Sequence, residues 1–236
     1  MSPHTLPEGV RVYAIGDVHG ELALLDKLLA RIDDDLARNP HPNPIEIHLG
    51  DMVDRGGDSA GVLDRLIATS PRQRIVLKGN HEAMFQNALK GRGGGEWLAN
   101  GGDLTMAAYG VAPRMASLGR EGLSAALTGA VPEAHRTFLA ALPLTHRLGD
   151  VLFVHAGIRP GVPLEYQDQH DLMWIRDPFM NHEGSLPVRV VHGHTPVHAA
   201  EATPHRVSVD TGAYVTGLLT CAVMEGTSVR FLDTGR

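Results

Sequence analysis

The sequence predicts an α/β fold, and three observations carry that prediction. Over the first 90 residues, short apolar runs rich in β-branched side chains alternate with amphipathic helical stripes. This β-α-β-α-β-α order is that of neighbouring parallel strands whose carboxyl ends carry ligand-binding loops. From residue 145 the apolar runs shorten and turn β-rich, which predicts a second sheet. Polar residues of metal-binding or phosphate-binding type cluster where the runs stop, as an active site built on strand ends requires.

Taken in order, Val10 to Ile15 reads as a strand that ends in Gly16-Asp17 and delivers Asp17 to a loop. Leu22, Leu25, Leu29, Ile32 and Leu36 recur at intervals of three and four, so residues 21–38 form a helix with one apolar stripe, stopped by Asn39-Pro40. Ile45 to Leu49 is the second strand, and residues 59–68 form a helix on Val62, Leu63, Leu66 and Ile67. Arg74 to Leu77 is the third strand, and residues 82–90 are helical. Six glycines within residues 91–102 break the pattern. With the Ala- and Gly-rich stretch 103–130, this region predicts a helical cap or insert, around 91–130, within one domain spanning 1–236. Pro132 to Leu142 regains helical spacing with proline in the first turn. The β-rich runs follow: Val151 to Val154, Val188 to Val191, Val207 to Val209, Leu218 to Met224 and Val229 to Leu232.

A chain of 236 residues with 43% hydrophobic content can build a substantial core. Its net charge of −6 and lack of a dense Lys/Arg run argue against stable nucleic-acid binding. It has no run of eighteen apolar residues, and Met1 to Val10 lacks a basic segment leading into an apolar one, so neither membrane insertion nor secretion is expected. Cys221 is the single cysteine, which excludes an internal disulfide and fits a reducing cytoplasm. Its place within an apolar run reads as a buried structural thiol.

Asp17, His19, Asp51, Asn80, His155 and His194 offer oxygen and imidazole donors without thiolate, a set suited to Mn²⁺, Fe or Zn²⁺. Six protein ligands are too many for one ion that must keep positions open for water and substrate. Two divalent ions sharing a carboxylate resolve the problem, with Asp51 as the bridge because its strand lies between the loops carrying Asp17 and Asn80. A water held between ions ~3.5–4 Å apart would lose a proton near neutral pH and serve as nucleophile. Taken singly, Asp17 reads as a helix cap, Asn80 as a turn residue and His155 as a hydrogen-bonded buried side chain. Their joint placement at run ends favours a site.

The segments Gly16-Asp17-Val18-His19-Gly20, Gly50-Asp51-Met52-Val53-Asp54-Arg55-Gly56, Gly79-Asn80-His81-Glu82, His155-Ala156-Gly157 and Gly193-His194 resemble the signatures of the phosphoprotein phosphatase family of calcineurin-like metallophosphoesterases. They look most like its small bacterial and phage members. The resemblance implies a sandwich of two mixed β-sheets flanked by helices. It implies one metal on Asp17, His19 and Asp51, and a second on Asp51, Asn80, His155 and His194. It makes His81 the proton donor to the leaving oxygen, with Asp54 holding its imidazole. Arg55, Arg176 and Asn80 would bind substrate phosphate. Arg159 competes with Arg176 for the second arginine role, but Pro160 suggests a turn that aims Arg159 outward. His192 is expected to pack behind His194, Asp210-Thr211-Gly212 to have no direct role, and Glu82 to be a helix first-turn acid. The implied activity is a serine/threonine, and also tyrosine, protein phosphatase, with Mn²⁺ as the expected ion. A symmetrical diadenosine tetraphosphate hydrolase, or a small-molecule or nucleotide phosphatase, is the alternative. The expected partner is accordingly a phosphorylated protein or small phosphoester, with no membrane; nothing in the sequence sets the oligomeric state.

Overall fold

The computed structural model describes residues 4–235; Met1 to Pro3, which open the N-terminal segment read above, and Arg236 lie outside the described residues. Parallel strands β1 (Arg11–Ile15), β2 (Pro44–His48) and β3 (Gln73–Val76) form one side of a five-stranded sheet. The other side of β1 is extended antiparallel by β9 (Thr220–Glu225) and then β10 (Ser228–Asp233). A second five-stranded sheet runs β4 (Thr145–Leu148), β5 (Val151–Val154), β6 (Arg189–His192), β8 (Arg206–Ser208) and β7 (Glu201–Ala202), parallel at its centre and antiparallel at both edges. Two mixed sheets with helices outside them are the sandwich that the motifs implied.

Burial on both faces explains why β1 and β5 read as continuously apolar runs, whereas β2 alternates Ile45 and Ile47 with the buried polar Glu46 and His48. Val12 and Ala14 of β1 join Ile45, Ile47, Val151, Phe153, Val191 and Val207 in the cluster between the sheets. Tyr13 and Ile15 point the other way, onto Leu25, Leu28, Leu29 and Ile32 of α1 (Leu22–Arg38) and Val62, Leu63 and Leu66 of α2 (Ser59–Ile67). The outer face of the second sheet, through Leu152, Val154 and Val190, packs on Leu172 and Phe179 of α8 (Gln169–Trp174) and α9 (Asp177–Met180). Each such side chain, fully buried, contributes about 1.5–3 kcal/mol.

Three of the five β-rich runs enter the second sheet, but Leu218 to Met224 and Val229 to Leu232 become β9 and β10 of the first. Burial explains the difference: Cys221 and Val223 face the α1 side while Ala222 and Met224 face the inter-sheet cluster. That two-faced strand fits beside β1. Cys221 is buried, and burial pushes its thiol pKa well up, as expected of a structural thiol. β4 escapes the pattern because an edge strand of Thr, His and Arg has no apolar run to read.

After α3 (Asn80–Leu89), residues 91–130 form α4 (Gly94–Trp97), a kinked turn over 98–102, α5 (Asp103–Ala108), a tight turn over Pro113–Leu118, and α6 (Gly119–Ala130). Trp97, Met106, Leu123 and Leu127 join the same cluster as α1 and α2, with Leu139 of α7 (Glu133–Ala141). Among the described residues no helix is long and apolar enough to cross a membrane.

Candidate active site

The chemistry gathers at the carboxyl ends of parallel strands of both sheets. Asp17 follows β1, Asp51 follows β2, His155 follows β5, His194 follows β6 and Asp210 follows β8. Helix α3 begins at Asn80, two residues earlier than periodicity indicates, so Asn80 and His81 sit in its first turn rather than on a strand end. Its start is made by Glu82, whose buried carboxylate accepts the Gly79 amide at 2.8 Å.

His155 donates Nδ1–H to Leu49 O at 2.9 Å, which leaves Nε2 facing Asn80 Oδ1 at 2.9 Å, His194 Nδ1 at 3.2 Å and Asp51 Oδ1 at 3.3 Å. A single proton on Nε2 can satisfy one of these three contacts; a cation answers all of them. His19 likewise commits Nδ1 to Val53 O at 2.9 Å and turns Nε2 toward Asp51 Oδ2 at 3.6 Å. Burial lowers the His19 pKa to about 3 and that of His194 to about 2, which disfavours the imidazolium at both. Two clusters of metal-ligand type result, Asp51 with His155 and His194, and His19 with Asp51 and His81, so Asp51 belongs to both. These residues fit a pair of divalent ions.

Asp17 lies deeper. It accepts the His194 amide through both oxygens at 3.1 and 3.2 Å and caps no helix. Burial and the charges of Asp210 and Asp51 raise its pKa well above the carboxylate range. Asp51 goes the opposite way: burial opposes its charge, but His155, His81 and His19 hold it well below. Among the described residues, the non-glycine residues with positive φ are His19, Asp51, Asp54, Arg55 and His194, all of them at this site. Such conformations cost roughly 1–3 kcal/mol each and persist where the surroundings over-determine them.

Asp54 Oδ2 accepts from His81 Nδ1 at 2.8 Å, and both residues are fully buried. Helix α2 is capped by Asp58, which leaves Asp54 free of that role. Burial disfavours the imidazolium of His81, but Asp51 and Asp54 outweigh it and raise its pKa. His81 Nε2 is left buried without a hydrogen-bond partner. Arg55 Nη1 lies 2.9 Å from His19 Nε2, and its guanidinium stands 5.0 Å over the Tyr214 ring. Arg176 is exposed at the start of α9 and lies near enough to His194 to help depress its pKa, whereas Arg159 is paired in two contacts with Asp171 at 2.6 and 2.7 Å. His192 is buried behind the site between Gly193 O and Ser208 Oγ.

Glu82 does more than its sequence context suggested. It is a first-turn acid, but it also accepts the amides of Asp51, Met52 and Val53, and so shapes the loop carrying the shared carboxylate. Burial and Asp51 raise its pKa to about 7. Asp210 is buried beside Asp17 with its own pKa raised by burial. Its Asp-Thr-Gly motif was the available signal.

Comparisons with known proteins bear on the family and the fold. The chain is 28% identical over 216 residues to serine/threonine-protein phosphatase 1 of Salmonella typhimurium, covering 89% of this chain and 90% of that protein. It is 27% identical over 228 residues to the asymmetrical bis(5'-nucleosyl)-tetraphosphatase PrpE of Bacillus thuringiensis, covering 87% of each. In fold it resembles a cold-active protein-tyrosine phosphatase from a psychrophilic Shewanella, with a TM-score of 0.63 at 15% identity over 98% of this chain and 83% of that one. Residues 10–218, which hold every candidate ligand, match the model for calcineurin-like phosphoesterase. The chain therefore belongs to the calcineurin-like phosphoesterase family and is a metal-dependent hydrolase of phosphoester bonds.

Proposed function

We propose that the protein hydrolyses phosphomonoesters, acting on phosphoserine and phosphothreonine in proteins, with phosphotyrosine as a further substrate. The observation that carries this reading is the buried Asp54–His81 pair. A departing alkoxide is a strong base and needs a proton in the transition state, whereas a phosphoric anhydride releases an acidic group and depends on such a donor far less. An imidazole anchored through Nδ1, with Nε2 unpartnered, is suited to give that proton from Nε2 to the leaving oxygen.

In this reading Asp17, His19 and Asp51 hold one divalent ion, and Asp51, Asn80, His155 and His194 hold the other. Mn²⁺ is the ion we assign, although the donor set also suits Fe and Zn²⁺. When bound, such a pair neutralises phosphoryl charge and lowers the pKa of a water toward neutrality. Arg55 and Arg176 clamp the phosphate oxygens and Asn80 contributes its side-chain amide. The engagement of Arg159 by Asp171 supports Arg176 as the second arginine. The chain acts as a single domain in the cytoplasm, with residues 91–130 as its cap.

The test is a screen of phosphopeptides, nucleotides and diadenosine tetraphosphate after reconstitution with defined metals. Phosphate release from phosphopeptides is expected. Rapid cleavage of the dinucleotide alone would replace the substrate class with the anhydride, the reading favoured by the similarity to the Bacillus tetraphosphatase.

A further inference from the structure

We propose that residues 97–105 of the helical insert belong to the proton-donating machinery: Trp97 and Thr105 are positioning residues that fix the Asp54 carboxylate against His81. The proposal rests on the reading of His81 as the acid.

Trp97 Nε1 donates to Asp54 Oδ1 and Oδ2, both at 3.0 Å, and Thr105 Oγ1 donates to Oδ1 at 2.6 Å. The Thr105 oxygen also accepts the Asp54 amide at 2.9 Å and meets Ser59 Oγ at 2.9 Å. One donor and two acceptors exhaust a hydroxyl. Asp54, His81, Trp97 and Thr105 are all 0% exposed, so no water replaces a lost partner. Turning the carboxylate away from His81 would orphan buried donors on two other elements, each at a cost comparable to a lost hydrogen bond.

The insert is shaped for this contact. A Cβ on Gly102 would collide with the Trp97 indole, so only glycine lets the ring lie there. Gly101, at φ 96°, brings its carbonyl to the Arg55 amide at 3.1 Å and holds the backbone beside Asp54. Phe85 stacks on Trp97 at 5.1 Å with the rings 17° apart, which fixes the indole N–H direction. A carboxylate locked in this way keeps the His81 ring from swinging and keeps Nε2 turned into the site. The glycine-rich stretch that interrupts the α/β pattern thereby becomes part of the acid's support.

Three variants test this in the metal-loaded enzyme. Trp97→Phe keeps the ring and removes the N–H, Thr105→Val removes the hydroxyl with similar shape, and Thr105→Ser restores it. On a phosphoserine peptide, Trp97→Phe and Thr105→Val are expected to lower kcat roughly tenfold or more at unchanged KM. The loss on 4-nitrophenyl phosphate should be smaller, and Thr105→Ser should recover most of the activity. In the metal-free protein, the proton resonance of His81 Nδ1–H should shift in Trp97→Phe and Thr105→Val but return in Thr105→Ser. Losses equal on both substrates, or no loss, overturn the positioning role if His81→Ala in parallel still discriminates by leaving group. If His81→Ala itself loses equally on both, the acid reading fails instead. Should Trp97→Phe fold poorly, the Thr105 pair decides alone.

Discussion

His81 gives Nδ1 to Asp54 and leaves Nε2 without a hydrogen bond, 3.9 Å from Asp51 Oδ2 on the side of the candidate metal ligands. His81→Ala is therefore expected to lower turnover of alkyl phosphates by about 10²–10⁴, far more than turnover of an aryl phosphate with a good leaving group. Metal analysis of that variant should still find both ions. Asp51→Asn is expected to weaken both sites, because Asp51 alone belongs to both clusters; elemental analysis showing two tightly held ions would remove its bridging role. The candidate ligands were legible because each is a donor-type side chain in a short motif at the end of an apolar run. The contacts of Glu82 with the Asp51 loop, and those of Trp97 and Thr105 with Asp54, were not, because they depend on segments tens of residues away meeting in space, which local pattern does not encode. Asp210 was visible as a motif, yet its burial beside Asp17 follows only from the placement of β8.

Strands and helices succeed or fail here by how their faces are covered. Buried β1 and β5 could be read as apolar runs, whereas edge strand β4 and the two short helices α8 and α9 gave too weak a period. On β2, Glu46 is wholly buried between His48, Arg72 and Arg74, with contacts of 2.8, 2.8 and 2.5 Å. Burial opposes its charge, but His48 and Arg74 more than offset this and hold its pKa well below the usual carboxylate range. A depressed folded pKa gives stability that is present above the unfolded value, near 4.3, and is lost as pH falls from there toward the folded value. Glu46→Gln should cost about 3–5 kcal/mol at pH 7, and urea titrations should show a shallower loss than wild type below about pH 4. At the turn into α3, Gly79→Ala would drive a Cβ into the Asp51 carboxylate. About 1–3 kcal/mol of destabilisation, with weakened metal retention, is expected in thermal melts and metal analysis.

On the scale of the whole molecule, the site is assembled from both halves of the sandwich: Asp51 comes from the first sheet, and His155, 3.3 Å away, from the second. Asp17 and His194, joined by hydrogen bonds, are 177 residues apart in sequence. An ion bound to such donors stabilises the native state by mass action, about 2.7 kcal/mol at a free concentration one hundred times its Kd. Calorimetry should record a higher melting temperature with added Mn²⁺ and a lower one with a chelator; an unchanged midpoint would argue against ions held by these strand-end ligands. The assembly also has a topological meaning. Toward the unfolded chain, occupied sites act as a removable clasp closing a loop that takes in most of the polypeptide, with the entropic leverage of a long-range covalent link but a strength set by the surrounding metal supply. Scarcity of metal would thus be felt as loosened structure at the strand-end loops that carry these ligands, where the two sheets meet only through polar contacts.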